Sequence, residues 1–211
     1  KESGDREGML ARLRTGLAGG VPVNHAHPAP DPLAEAPEIR FRVLDGEPSL
    51  VEVFTSAAIE AAATVHRDLS AVADVVERHS VRTAVATAEP EVADVVTALR
   101  DAGVELVDDA TRADLGVTSC RAAIAVTGSV VIGSDVPVAR WASLMPRVHL
   151  CVVPTDRVVA RPADVLRGLD REGTPLPANL VLISGPSRTG DIEQLLTLGV
   201  HGPVAVELLV R

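Results

Sequence analysis

Five short apolar runs in the second half of the chain set the strongest limit on its fold: Ala122 to Val126, Val130 to Ile132, Val148 to Val153, Leu180 to Ile183 and Val204 to Val210. A strand with one wet face alternates apolar and polar residues. Near-continuous runs imply burial on both faces, as in a mostly parallel sheet covered by helices. Helical stripes lie between shorter strand-like segments. Val92, Val95, Val96 and Leu99 repeat at helical spacing, Gly103 offers a left-handed cap, and Val104 to Val107 follows as a strand. Val72, Val75 and Val76 form a similar stripe before strand-like Thr83 to Ala86. Pro162 suits the first turn of a helix carrying Val165, Leu166 and Leu169, while Gly173, Pro175 and Pro177 return the chain to the sheet. The expected fold class is α/β, a mostly parallel sheet with helices on both faces; this pattern does not encode strand order.

Residues before about 39 read differently. Met9, Leu10, Leu13 and Leu17 make an amphipathic helix ended by Gly19 and Gly20, and Val21 to Pro37 carries five prolines, which reads as an extended linker. The expected division is therefore an N-terminal helix and Pro-rich linker over 1–38 and one α/β domain over 39–211. His25 and His27 share one side of an extended segment, but no third ligand lies nearby, so solvated loop histidines are the reading.

Composition removes several function classes. The chain has two Phe, one Trp and no Tyr, so stacking platforms for single-stranded nucleic acid are nearly absent. Its 20 basic against 29 acidic residues, net −9, also argue against binding a nucleic-acid backbone. Cys120 and Cys151 lack the paired spacing of a zinc or iron–sulfur site and read as buried reduced thiols, so no metal or cofactor is expected on this chain. No apolar run is of bilayer length and no signal-peptide core is seen, so the expected location is the cytoplasm.

The strongest local signal is the loop from Ser184 to Asp191, where the apolar run Leu180 to Ile183 hands over to an expected helix with Ile192, Leu195 and Leu196 on its apolar side. Gly185 and Gly190 permit close ligand approach, Ser187 or Thr189 can cap the helix, its first N–H groups attract an anion, and Arg188 adds a positive fork. A well-capped turn with a surface Arg is the plainer alternative. Thr127 and Gly128, between two apolar runs, suggest a hairpin or bulge exposing backbone donors. His149 sits inside a strand, and His201, flanked by Gly and Pro, is either a turn residue or a general acid or base. The loop matches neither the Walker spacing nor the dinucleotide fingerprint.

Ser184 to Glu193 and Leu198 to Pro203 together resemble the C-terminal signature of the lactate utilization protein C family, the LUD-domain proteins. The likeness extends upstream through Gly116-Val-Thr118, Ala122 to Gly128, Ser143-Leu-Met-Pro146, Val148 to Pro154 and Arg157-Val-Val159, in that order, and Met9 to Arg14 resembles the family's opening helix. The resemblance implies a fold similar to the sugar-phosphate isomerase and CoA-transferase class. It also implies a place in an operon-encoded system that oxidises L-lactate to pyruvate beside two partner proteins carrying iron–sulfur clusters. Family members commonly carry an acidic residue before the Thr-Gly pair, where this chain has Val126.

The expectation is thus a non-redox component of L-lactate oxidation acting with iron–sulfur partners. Its small anionic ligand is expected at Thr127, Gly128, Ser184, Gly185, Ser187, Arg188, Thr189 and Asp191, with His201 as the candidate acid or base. The alternatives are a free-standing enzyme on a CoA ester, folate or sugar phosphate, and a regulatory or scaffold protein with a vestigial pocket, which the Val126 departure permits.

Overall fold

The computed structural model describes residues 49–171, 177–190, 196–198 and 201–211. The first helix, α1 (Leu50–Glu60), starts at a capping box: Ser49 Oγ accepts from the Glu52 amide, and the Ser49 amide donates to Glu52 Oε2 at 2.6 Å. The chain continues through β1 (Thr64–His66), α2 (Ala71–His79), β2 (Thr83–Ala86), α3 (Ala93–Asp101), β3 (Glu105–Leu106) and β4 (Leu115–Ser119). There follow β5 (Ala122–Ile124), β6 (Ser129–Gly133), α4 (Ala139–Leu144), β7 (Val148–Val153), β8 (Val158–Val159) and α5 (Pro162–Arg171). The last elements are β9 (Leu180–Ile183), β10 (Arg188–Gly190), β11 (Leu196–Leu198) and β12 (Ala205–Val210).

The main sheet has the order β1-β12-β7-β4-β2-β3, and every neighbouring pair is parallel. Its central strand β7 is buried at every residue, as expected of a run that is apolar but for His149. Side chains alternate across it. Val148, Leu150 and Val152 pack with Val72 and Val75 of α2 and Val95 and Leu99 of α3. Cys151 and Val153 point to the other face and pack with Phe54 and Ala58 of α1 and with Ala123, Val130 and Ile132. Burying a side chain such as Phe54 completely contributes about 1.5–3 kcal/mol.

That second face is covered partly by strands. A four-stranded sheet, β8-β5-β6-β9, holds β5 antiparallel to β6 and β6 antiparallel to β9. The β5–β6 hairpin confirms the turn expected around Thr127 and Gly128: a 3-10 turn at Ala125–Thr127 leads to Gly128 in the left-handed region, φ +59°. Gly116 brings α4 against the main sheet with no side chain between, because a Cβ there would lie 1.7 Å from the Ala142 carbonyl oxygen.

Two expectations are corrected. Leu180 to Ile183, read as a strand buried on both faces of a parallel sheet, is the partly exposed edge strand β9, antiparallel to β6, because it lies on the outer side of the smaller sheet. Leu196, expected on the apolar side of a helix, lies in β11, where it pairs with Gly190 of β10 in an antiparallel ladder. Leu196-Thr197-Leu198 alternates apolar and polar residues, which suits a strand with two unlike faces. The N-terminal helix and Pro-rich linker, with His25 and His27, lie outside the described residues, as do Gly173, Pro175, Asp191, Ile192 and Leu195.

Candidate functional site

Ligands of open α/β sheets sit beyond the carboxyl ends of the parallel strands. Here three chain segments converge at that edge. Ser119 ends β4 and Cys120 and Arg121 follow it, Glu89 follows β2, and Arg157 belongs to the 3-10 turn Thr155–Arg157 after β7. With Asp135, beyond β6, they line a cavity of about 280 Å3.

Hydrogen bonds hold the charged side chains of the cavity wall. Arg157 donates from Nη1 to the Cys120 carbonyl at 2.8 Å and to Ser119 Oγ at 3.3 Å, and from Nη2 to the Glu91 carboxylate. Arg121 Nη2 donates to Asp135 Oδ2 at 2.5 Å, and this bond holds the Asp135 carboxyl below its ordinary range. Glu89 Oε2 is buried with no hydrogen-bond partner. Leaving a buried acceptor unsatisfied costs about 1–3 kcal/mol, so Glu89, a residue of the cavity wall, has an unmet demand for a donor. Cys120 forms part of the wall; behind it Cys151 is fully buried, and burial followed by the neighbouring Cys120 thiol raises its pKa well above the usual thiol value. Cys151 is therefore a protonated core thiol rather than a nucleophile. A second cavity of about 230 Å3 lies along the same two Arg side chains and is also lined by Asp156 and Asp164.

Several residues singled out in the sequence meet elsewhere, beside α1. Ser129 Oγ donates to Thr127 Oγ1 at 2.7 Å and lies 2.5 Å from Ser184 Oγ, because the β6–β9 pairing sets Ser184 beside the start of β6. Ser129 is buried, while Thr127 and Ser184 are exposed. Gly128 and Gly185 belong to this cluster, yet the space over them is taken by protein: a Cβ would lie 2.2 Å from the Ala58 amide nitrogen and 1.9 Å from the Ala61 carbonyl oxygen, respectively. Their small size serves the packing of α1. The Ser187 amide donates to the Pro203 carbonyl at 2.9 Å, tying the loop to the turn that carries exposed His201. Arg188 and Thr189 pair through β10 with Leu198 and Thr197, and Asp191 lies outside the described residues. His149 is a core residue; it shares a 2.9 Å hydrogen bond with Thr118 Oγ1, and burial lowers its pKa to about 4.

The sequence reading missed Glu89, Arg121 and Arg157. Each stands just past the carboxyl end of a parallel strand, which is the signal that points to them once the strands are known. Among the described residues, no group of three or more His, Cys, Asp or Glu is arranged to hold a metal ion, and no helix is long and apolar enough to cross a membrane.

Comparison with known proteins shows what the chain is similar to. The chain is 36% identical over 107 residues to lactate utilization protein C of Bacillus subtilis (strain 168), covering 49% of this chain and 45% of that protein. It is 38% identical over 105 residues to lactate utilization protein C of Halalkalibacterium halodurans, covering 48% and 46%. The matches thus span about half the length of these curated relatives. A crystal structure of a DUF162 family protein from Deinococcus radiodurans superposes with a TM-score of 0.52 at 21% identity, covering 76% of this chain and 95% of that one, which shows a shared fold. The model of the LUD domain matches residues 43–210, so the chain belongs to the LUD domain family.

Proposed function

We propose that this chain is a non-redox component of an L-lactate oxidation system, and that it binds the α-hydroxy acid in the cavity at the carboxyl ends of β2, β4 and β7. The observation that carries the reading is the buried, unpartnered Glu89 Oε2 in a wall shared with Arg121 and Arg157. A 2-hydroxy carboxylate presents the complement: its hydroxyl donates to Glu89, and its carboxylate takes the guanidinium field. The names of the relatives that share over a third of their matched residues support the substrate class.

The chain's own residues bind and orient. Glu89 accepts a hydrogen bond from the hydroxyl and fixes its direction, while Arg157, already held by Ser119 and Cys120, sets the position of the carboxylate with no further ordering. Taking two electrons from a secondary alcohol needs an acceptor that side chains do not supply. We place that acceptor on iron–sulfur partner proteins.

Titration of the purified chain with L-lactate and with propionate, which lacks the hydroxyl, reads the Glu89 contact. The expected result is binding of lactate about tenfold tighter than propionate, with the preference lost in Glu89→Ala, since one hydrogen bond to a charged group contributes about 1.5 kcal/mol or more. Dye reduction with L-lactate is then assayed with this chain alone, with the two iron–sulfur partners alone, and with all three; turnover is expected only from the full set. Turnover by the chain alone, or full activity without it, sinks the reading.

A second position for the anion is favoured by the Thr127–Ser129–Ser184 hydroxyl chain, in which Thr127 and Ser184 are exposed and Ser187 and Arg188 follow shortly after Ser184 in the chain. Binding that falls in Arg188→Ala and is unchanged in Glu89→Ala assigns the ligand there instead.

A further inference from the structure

On α4, away from the cavity, the chain shows water its largest apolar side chain. Trp141, the one Trp of the sequence, is 59% exposed, and Met145, one turn further along, is 46% exposed. Val138, just before the helix, is 40% exposed. The three line a groove of about 330 Å3 between α4 and the 3-10 turn Ala110–Arg112, closed on the other side by Asp108, Asp109 and Thr111.

Three features distinguish this groove from a chance exposure. Trp141 and Met145 stand four residues apart on one helix face, so indole and thioether form one surface rather than two isolated contacts. Val138 is held at φ +67°, a left-handed conformation that costs a β-branched residue about 1–3 kcal/mol; it is kept there as the Ala142 amide donates to its carbonyl at 2.8 Å. The charged side chains in the groove wall are both acidic. Asp109 is fixed as a carboxylate, its pKa lowered by hydrogen bonds from the Thr111 hydroxyl and amide. Arg112 and Arg140 are exposed on the flanking elements but do not line the groove.

We propose that this groove is a docking surface for a partner protein that presents an apolar side chain flanked by Lys or Arg. Trp is enriched among interface residues that dominate binding energy, Met adapts its shape to what it meets, and an acidic rim selects a basic partner and speeds its approach. The chain's net charge of −9 favours the same sign of partner.

Because Trp141 is the single indole, its fluorescence reads this site alone. The whole chain is titrated with an amphipathic helical peptide of leucine and lysine, and with the same peptide carrying glutamate for lysine. The expected result is a saturable blue shift with the lysine peptide and none with the glutamate peptide. The affinity is expected to fall about tenfold when Asp108→Asn and Asp109→Asn are combined, to be abolished in Met145→Glu, and to be unchanged in the control Leu166→Ser. No shift with the lysine peptide at millimolar concentration, or equal shifts with both peptides, overturns the proposal. So does a blue shift that tracks protein concentration together with a dimer in sedimentation, because the groove is then filled by a second copy. None of these readouts involves lactate, so they stand apart from the test of the cavity.

Discussion

Glu207 and His66 meet across the parallel pairing of β12 with β1, Oε2 and Nε2 lying 2.6 Å apart. The other carboxylate oxygen is 2.7 Å from His79 Nε2 and accepts from Arg78 Nη1 at 3.3 Å. A carboxylate only accepts, so both imidazoles donate from Nε2. Glu207 breaks the apolar run of β12, and its side chain is only 2% exposed. Removing it leaves two imidazoles and a guanidinium without their acceptor. Glu207→Ala is expected to lower stability by about 3 kcal/mol, read from urea unfolding midpoints; a loss under about 1 kcal/mol would show the cluster to be ornamental.

His149 makes stability depend on pH in a definite window. Its folded pKa, about 4, is depressed below the ordinary 6.5 by burial. The unfolded chain therefore binds the proton more readily, so this contribution is fully present above pH 6.5 and is lost as pH falls to 4. The loss attributable to His149 is about 3 kcal/mol at 1.36 kcal/mol per unit. Comparing wild type with His149→Gln across that range isolates it, and equal pH slopes in the two proteins would count against the assignment.

Asp114 acts in a lower window. Its carboxylate accepts from the Arg82 and Thr83 amides at 2.9 and 3.1 Å, clamping the start of β4 to β2. The first of these bonds leads in lowering its pKa, so its contribution is full above the ordinary carboxylate value and disappears as pH falls below it. Asp114→Asn is expected to cost about 1–3 kcal/mol at pH 7 and little at pH 2–3, as chemical denaturation at the two pH values will show.

Two glycines separate steric from conformational cost. Gly103 has φ +78° with open space around it, so Gly103→Ala is expected to cost about 1 kcal/mol. Gly116 has ordinary φ, but a Cβ would strike the Ala142 carbonyl, so Gly116→Ala is expected to cost about 3 kcal/mol or more. Thermal midpoints that rank the two substitutions the other way would refute the close seating of α4.

Much of the fold is legible along the chain because burial on both faces leaves few polar residues to confuse the pattern: Val148–Val153, apolar but for His149, reads as a strand buried on both faces and is one. The helical stripes of α2 and α3 are legible for the same reason, since one apolar face at helical spacing has one explanation. Leu195 and Leu196 read as helix because a short apolar run suits either period, and only the pairing with β10 decides for Leu196. The cavity was illegible. Glu89, Arg121 and Arg157 are lone charges far apart in sequence, and their meeting depends on β2, β4 and β7 being adjacent in the sheet, which hydrophobic pattern does not specify. By contrast, Thr127 and Ser184 were singled out separately and do meet, through Ser129.

The short α4 borders two of the concavities formed by the described residues. Ala139 faces the cavity of Glu89 and Arg157, while Trp141 and Met145 face the groove, and Gly116 seats the same helix directly on β4, whose end supplies Ser119. A rigid body shared in this way cannot shift for one occupant without being felt by the other. Linkage then fixes the bookkeeping: any factor by which an occupant of the groove changes affinity in the cavity is the factor by which the cavity's ligand changes affinity for that occupant.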